Sequence, residues 1–547
     1  MLNEKKQKTT KTTKATIPAK AHENYMGGPS YDLSPFARLF VMSSSCFFGE
    51  KGYYEDVRRT DTPQEGVLSY LATIFGSFGD DILSFNSSKN RAEAMKKAIE
   101  DSLNYDAELT IKFLDWLRNK ALIRATPAVG LAIASRSEAV RGSGLLNSVS
   151  NSILARLDDT TNCLAYYLKN YGKPIPNSLK KVLRNRLNVA KEYELAKYSG
   201  KNKEVSLRDV IRLVHAHSDA IDKFCRDEIS QATEGQETWE AILSKEGSTR
   251  ESWTKAISVM GHMALLRNLR NFEKFEIDES LYLDKLVEGA KTGKQLPFRY
   301  YSAWINVKSY NLKKALEKCI DISIENLPKL KGRSLILVDN SGSAEYTHIS
   351  NFSNVNVATA GNLMGVLTGL ISEDGKVGVF GDKIKYLTIN KGIEGHALQL
   401  LDAVNDIGSH VGSATENGIW LALHDVIVSK EHFDRIFIYS DMQAGHGGLY
   451  GLDSEKYPVF KATRHSMQRY IDVPMLMQEY RKTVNKDCAL YSIQIGGYSD
   501  NIFAEFYPNT CIMGGWSTEI LKFVDMFEKN PVSIEDTFRK LLGVEKK

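Results

Sequence analysis

The stretch LILVDNSGS, Leu335 to Ser343, runs an apolar segment into Asp339, Ser341 and Ser343. One carboxylate and two hydroxyls two residues apart are hard oxygen donors, which suit Mg²⁺ or another divalent cation of that type better than a soft or nitrogen-preferring metal. Two more positions carry the same chemistry: Thr415 in SHVGSATENG, and Asp441 at the end of RIFIYSD. The serines can face one ion from a loop while the aspartates act directly or through bound water, which leaves a coordination position for an acidic partner. The same residues can also be read as a serine-rich turn in which the acid caps a backbone amide. Against that, Thr415 and Asp441 follow in order at the ends of further elements. Phosphoryl transfer to Asp339 would ask for a second acid two residues later, where Ser341 stands, and the chain has no G-x-x-x-x-G-K-[ST] phosphate loop.

A second chemistry lies upstream. Between Lys169 and Arg212, twelve Lys and Arg face four Asp and Glu, a local excess of eight positive charges in a chain whose net charge is only +4. A local excess of this kind suits a polyanionic partner. Within it, Arg208, Arg212 and His215 fall four and three residues apart on one helical pattern that opens at Ser206, so they can share a stripe and meet phosphates and base edges. The competing reading is a solvated helical face with His215 as a C-terminal cap.

The elements that must position these groups divide near residue 331. From about Tyr53 to Leu330 apolar residues recur at three- and four-residue spacing, as in Ile111, Leu114 and Leu117, which predicts stacked helical pairs of the solenoid kind. Beyond Lys331, apolar β-branched runs alternate with helical segments, which predicts a parallel α/β sheet with its ligands at the carboxyl ends of the strands. The expected organisation is a disordered basic tail over 1–25, a helical-repeat domain over 26–330 and an α/β domain over 331–547. No apolar run approaches the ~20 residues that would span a bilayer, and the Lys- and Thr-rich N-terminus is not expected to act as a secretory signal. The six cysteines show no metal-type spacing, so a reducing cytoplasm is expected.

Asp339, Ser341, Ser343, Thr415 and Asp441 together resemble the metal-ion-dependent adhesion site of von Willebrand factor A domains. The segment from Ala196 to Ser218 resembles the TROVE module of the Ro ribonucleoprotein family, as do TPQEGVL from Thr62, TWEAILSKEG from Thr238, ALLRNLRNF from Ala264 and LPFRYYSAW from Leu296. This resemblance, to a bacterial Ro homologue, implies a ring of antiparallel HEAT-like helical repeats bridged by a Rossmann-like A domain. It implies small noncoding Y-like RNA on the basic outer surface, and single-stranded 3′ ends of misfolded or precursor RNA in the ring. Carried over by position, it assigns Lys197, Lys201 and His215 to RNA; Arg208 and Arg212 come from charge and spacing. The expectation is a noncatalytic, monomeric, cytoplasmic RNA-binding protein without membrane contact, whose cation site docks a protein such as an exoribonuclease. The rival readings are a metal-dependent interaction scaffold without RNA and a metal-dependent RNA-processing enzyme using Asp339 and Asp441.

Overall fold

The protein is described here from a computed structural model, which covers residues 21–24, 29–45, 91–199, 205–229, 238–293, 295–325, 327–349, 355–389, 397–413, 416, 418–444, 463–465, 468–470, 473–498, 500–505, 507–529 and 532–546. TPQEGVL at Thr62 lies outside the described residues.

The first described element is a short antiparallel pair, β1 (Ala21–Glu23) with β2 (Pro29–Tyr31). The end of the segment expected as a tail is therefore ordered at 21–24. The pair is held to the C-terminal half: the Asn24 amide donates to the Ala444 carbonyl at 2.7 Å, and the Asn501 amide N–H donates to Ser30 Oγ at 3.0 Å. Local pattern could not show these bonds, because their partners lie more than 400 residues away.

Helices then follow one another from Arg91–Tyr105 to Tyr310–Ile324. Their ends obey local chemistry. Asp106 caps Ala107–Asn119 by accepting from Leu109 N at 3.0 Å, and Leu109, Ile111, Phe113, Leu114 and Leu117 on that helix are buried. Ser206 and Asp209 cap Leu207–Val214 reciprocally, with Leu207, Val210, Ile211 and Val214 turned inward.

After Tyr310–Ile324 comes the sheet: β3 (Leu330–Asp339), β4 (Ser372–Phe380), β5 (Ile384–Thr388), β6 (Arg435–Ser440), the separate hairpin β7 (Thr463–His465) and β8 (Gln468–Tyr470), then β9 (Ala489–Gln494) and β10 (Thr510–Gly514). The strand order is β10-β9-β6-β3-β4-β5, parallel except for the antiparallel edge strand β5. The fold class is the expected one, a helical-repeat array followed by a Rossmann-like sheet domain. Strands β6 and β9 are buried along their whole length, which explains their largely apolar sequence.

The sheet domain grips both ends of the helical array. At the first end, Phe538 of the C-terminal helix Ile534–Leu542 meets Phe40 and Trp116 with ring centroids 4.9 Å away, and Phe36 and Phe113 at 5.4 and 5.3 Å. Helix Pro35–Ser44 lies so close to β10 that a Cβ at Gly514 would stand 2.5 Å from the Val41 carbonyl oxygen. At the other end, Phe298 packs edge-on against Trp516 at 5.8 Å, Asn405 donates to the Tyr301 hydroxyl at 2.9 Å, and Glu317 accepts from Leu398 N at 3.1 Å.

Glu317 gives a pH-dependent prediction. It is 4 % exposed, its second oxygen has no partner, and burial pushes its carboxyl up to about 7. A carboxyl raised above its unfolded value makes folding most favourable below the unfolded pKa, and that advantage is lost as pH rises to about 7. Glu317→Gln removes the buried charge and keeps the acceptor for Leu398. Urea unfolding should show the variant more stable than wild type by about 1–3 kcal/mol at pH 8, with the difference vanishing at pH 4. Equal stability at pH 8 would refute the assignment.

Candidate functional site

The carboxyl ends of β3 and β6 lie side by side, with Val338 opposite Tyr439, and the chain leaves β3 toward β4 on one side while β6 lies on the other. This reversal of strand order is where an open α/β sheet forms its crevice. Asp339 ends β3, and Asp441 directly follows Ser440 at the end of β6. The loop between them is pinned by Gly342 N donating to the Ser413 carbonyl at 2.7 Å. Helix Gly418–Ser429 starts hard against β4: a Cβ at Gly418 would stand 1.9 Å from Phe380 Cβ, so only glycine fits there. That close approach brings Glu416, two residues earlier, over the two aspartates.

Oxygens of Asp339, Glu416 and Asp441 all lie within 4.8 Å of one another. The three residues are 0 %, 8 % and 1 % exposed. Asp339 accepts from Ser341 N at 2.8 Å, Asp441 accepts from Gln443 N at 3.3 Å, and Glu416 accepts from Ser440 Oγ at 2.9 Å. One oxygen of Asp339 and one of Asp441 are buried with no partner at all. Among the described residues none of the three acids has a Lys, Arg or His ion-pair partner. Burial, and then the charge of Asp441, pushes the Asp339 carboxyl up; burial also raises Asp441, and burial with both neighbouring charges raises Glu416 well above the usual range. Buried carboxylates left unneutralised are costly, so this cluster fits a cation.

Of the five expected positions, the structure brings together Asp339, Ser341, Ser343 and Asp441. The two serine hydroxyls lie 3.4 Å apart, and Ser343 favours the charged form of Asp441. Thr415 lies outside the described residues. Glu416 was missed in the sequence, although it stands next to Thr415; an acid just before a glycine-led helix was the available signal. All the protein donors here are oxygen, in keeping with Mg²⁺ or Mn²⁺.

The basic segment is distributed over several short helices. Lys197 ends Glu192–Lys197 and is exposed, with its ammonium 5.5 Å from the Tyr193 ring centre and 5.9 Å from that of Tyr198; Arg156 sits over the other tyrosine contact, 5.0 Å from Tyr198. Arg212 is exposed, and His215 is exposed at the C-cap of Leu207–Val214 with a left-handed φ of 55°. Arg208 is different: its guanidinium donates to the Phe224 carbonyl at 3.1 Å and pairs with Asp227. The expected stripe of three donors is thus two donors and one residue already engaged within the fold. Lys201 lies outside the described residues. Tyr193 and Tyr198 were not among the expected contacts; Tyr193 is exposed, whereas Tyr198 is half-buried against the core.

Comparison with known proteins agrees with this architecture. A family model described as "TROVE domain" matches residues 232–335, downstream of the basic segment. A solved structure, "Crystal structure of Deinococcus radiodurans RO (RSR) protein", superposes with a TM-score of 0.55 at 14% sequence identity, covering 91% of this chain and 99% of that one. No curated protein sequence matches. Both positive findings bear out the resemblance read from the sequence.

Proposed function

We propose that this chain, Ro-like in fold and in its TROVE segment, is a noncatalytic RNA-binding protein that works on small structured RNA in the cytoplasm. In this reading the basic face around Lys197 holds a Y-like noncoding RNA, and the helical ring receives single-stranded 3′ ends of misfolded or immature RNA for quality control or maturation. The cation centre would hold Mg²⁺ through Asp339, Glu416 and Asp441 with the nearby serines, and would serve to dock a protein, an exoribonuclease being the kind of partner implied. A bound divalent cation would supply positive charge for a partner's carboxylate.

The observation that carries the reading is the combination, within one segment of the chain, of exposed unpaired cations with a tyrosine-flanked lysine. Lys169, Lys173, Lys181, Lys191 and Arg212 are exposed with no carboxylate pairing among the described residues, and Tyr193 and Tyr198 flank Lys197. Phosphates answer the first feature and unstacked bases the second.

The test is to purify the protein at low salt, sequence the RNA that comes with it, and repeat with Lys197→Ala/Arg212→Ala. A discrete small RNA should accompany wild type and be lost from the variant. With that RNA, the variant should bind about tenfold or more weakly and show a salt slope smaller by ~1–2. His215→Ser should weaken structured RNA more than plain oligouridine. If no RNA accompanies either protein, the basic face is a solvated surface and the scaffold reading takes its place. Mg²⁺-dependent cleavage of the bound RNA that disappears in Asp339→Ala would establish an enzyme instead.

A further inference from the structure

We propose that Glu416 is a resident third carboxylate of the cation centre, one that helps Asp339 and Asp441 hold the ion in the free protein and that a partner's carboxylate must displace. The inference rests on the cation reading above and adds the regulation of that site.

Three features place Glu416 in this role. One of its oxygens is tied by the Ser440 hydroxyl at 2.9 Å, and Ser440 adjoins Asp441, so the side chain is held over the cluster instead of swinging to solvent. The oxygens of Asp339 and Asp441 that lack partners belong to residues only 0 % and 1 % exposed, so they are closed to solvent. Glu416, at 8 % exposed, is the most accessible of the three.

Charge then decides what happens when a partner arrives. Asp339, Glu416 and Asp441 bring three negative charges to a place with no Lys, Arg or His ion-pair partner among the described residues. A divalent cation leaves one negative charge over. Adding a further carboxylate to that complex would bury a second uncompensated charge, which is strongly unfavourable in a desolvated site. Exchange of Glu416 for the incoming carboxylate keeps the count unchanged. The site is therefore a gated one: cation affinity is high without a partner, and carboxylate affinity is low until Glu416 gives way.

The experiment titrates Mn²⁺ into the full-length protein, reading bound ion by its electron paramagnetic resonance, and then adds acetate as the carboxylate probe. Wild type should bind one Mn²⁺ with a spectrum that millimolar acetate leaves unchanged. Glu416→Gln, which preserves shape, should bind Mn²⁺ about tenfold or more weakly and show an acetate-dependent spectrum. Asp339→Asn serves as the reference for loss of the ion. If Glu416→Gln binds Mn²⁺ like wild type while Asp339→Asn does not, or if acetate perturbs wild type as much as the variants, the role of Glu416 is overturned and the cation centre stands. If wild type binds no Mn²⁺, the cation reading itself fails and this inference with it. A far-ultraviolet circular dichroism melt for each variant confirms that the comparison is between folded proteins.

Discussion

Arg539→Ala unfolds at markedly lower urea than wild type, with a loss of about 3–5 kcal/mol. The side chain is 7 % exposed and sits between two acids that are nearly as buried, Asp106 and Glu535, at 8 % and 7 %. It donates to each at 2.8 Å and to the Glu545 carbonyl at 3.1 Å. Truncating it leaves two carboxylates without their counter-charge, and Asp106 is also the cap of Ala107–Asn119. The effect should reach beyond the C-terminal helix, because the ion pair ties residue 106 of the helical array to residue 539. Hydrogen exchange should accelerate in both Ala107–Asn119 and Ile534–Leu542. The matching control is the triple replacement Asp106→Asn/Glu535→Leu/Arg539→Met, which should recover most of the loss, since it removes the stranded charges together. A single replacement that costs under about 1 kcal/mol would show that the triad is solvated in solution and does not hold the array closed.

The same ion pair shows what could and could not be read from the sequence. Strands announced themselves because β6, β9 and the Leu335–Val338 run of β3 are buried and therefore mostly apolar. Asp339, Ser341, Ser343 and Asp441 were legible for a related reason: in a parallel sheet, polar residues that end a buried strand collect at one edge. Helices were legible through caps such as Ser206 and the buried spacing of Val210, Ile211 and Val214. What the pattern could not carry was any pairing made by tertiary approach. Arg208 looked like a free donor because its partner, Asp227, is 19 residues away on another turn of chain. Glu416 drew no reading from the sequence, because only the packing of Gly418 on Phe380 brings it to the aspartates. The grip on both ends of the array by Phe538 and Trp516 has no local signature at all, since either residue would read as ordinary core.

Asp339→Asn separates the two costs that meet in the cation centre. In wild type with divalent ions chelated, three carboxylates face one another at 0 to 8 % exposure, and two of their oxygens have no partner. Burial and the Asp441 charge raise the Asp339 carboxyl, so the folded state takes up a proton more readily than the unfolded chain. By linkage, the chelated protein is most stable below the unfolded carboxylate range and loses stability as pH rises through the raised folded value. At pH 8 the protein therefore pays the full repulsion unless a cation is present. Asn removes one charge while its carbonyl can still accept from Ser341 N. The variant should accordingly be more stable than wild type in chelator at pH 8, by a margin on the order of 2–4 kcal/mol. Adding Mg²⁺ should reverse the order: wild type gains stability in proportion to the logarithm of free ion above its dissociation constant, whereas the variant, lacking one anionic donor, gains little. Thermal melts of both proteins in chelator and across a Mg²⁺ series decide the matter. Parallel responses of the two proteins to Mg²⁺ would mean that the ion binds elsewhere. A variant less stable than wild type in chelator would mean that the carboxylates are already neutralised by protons shared among them.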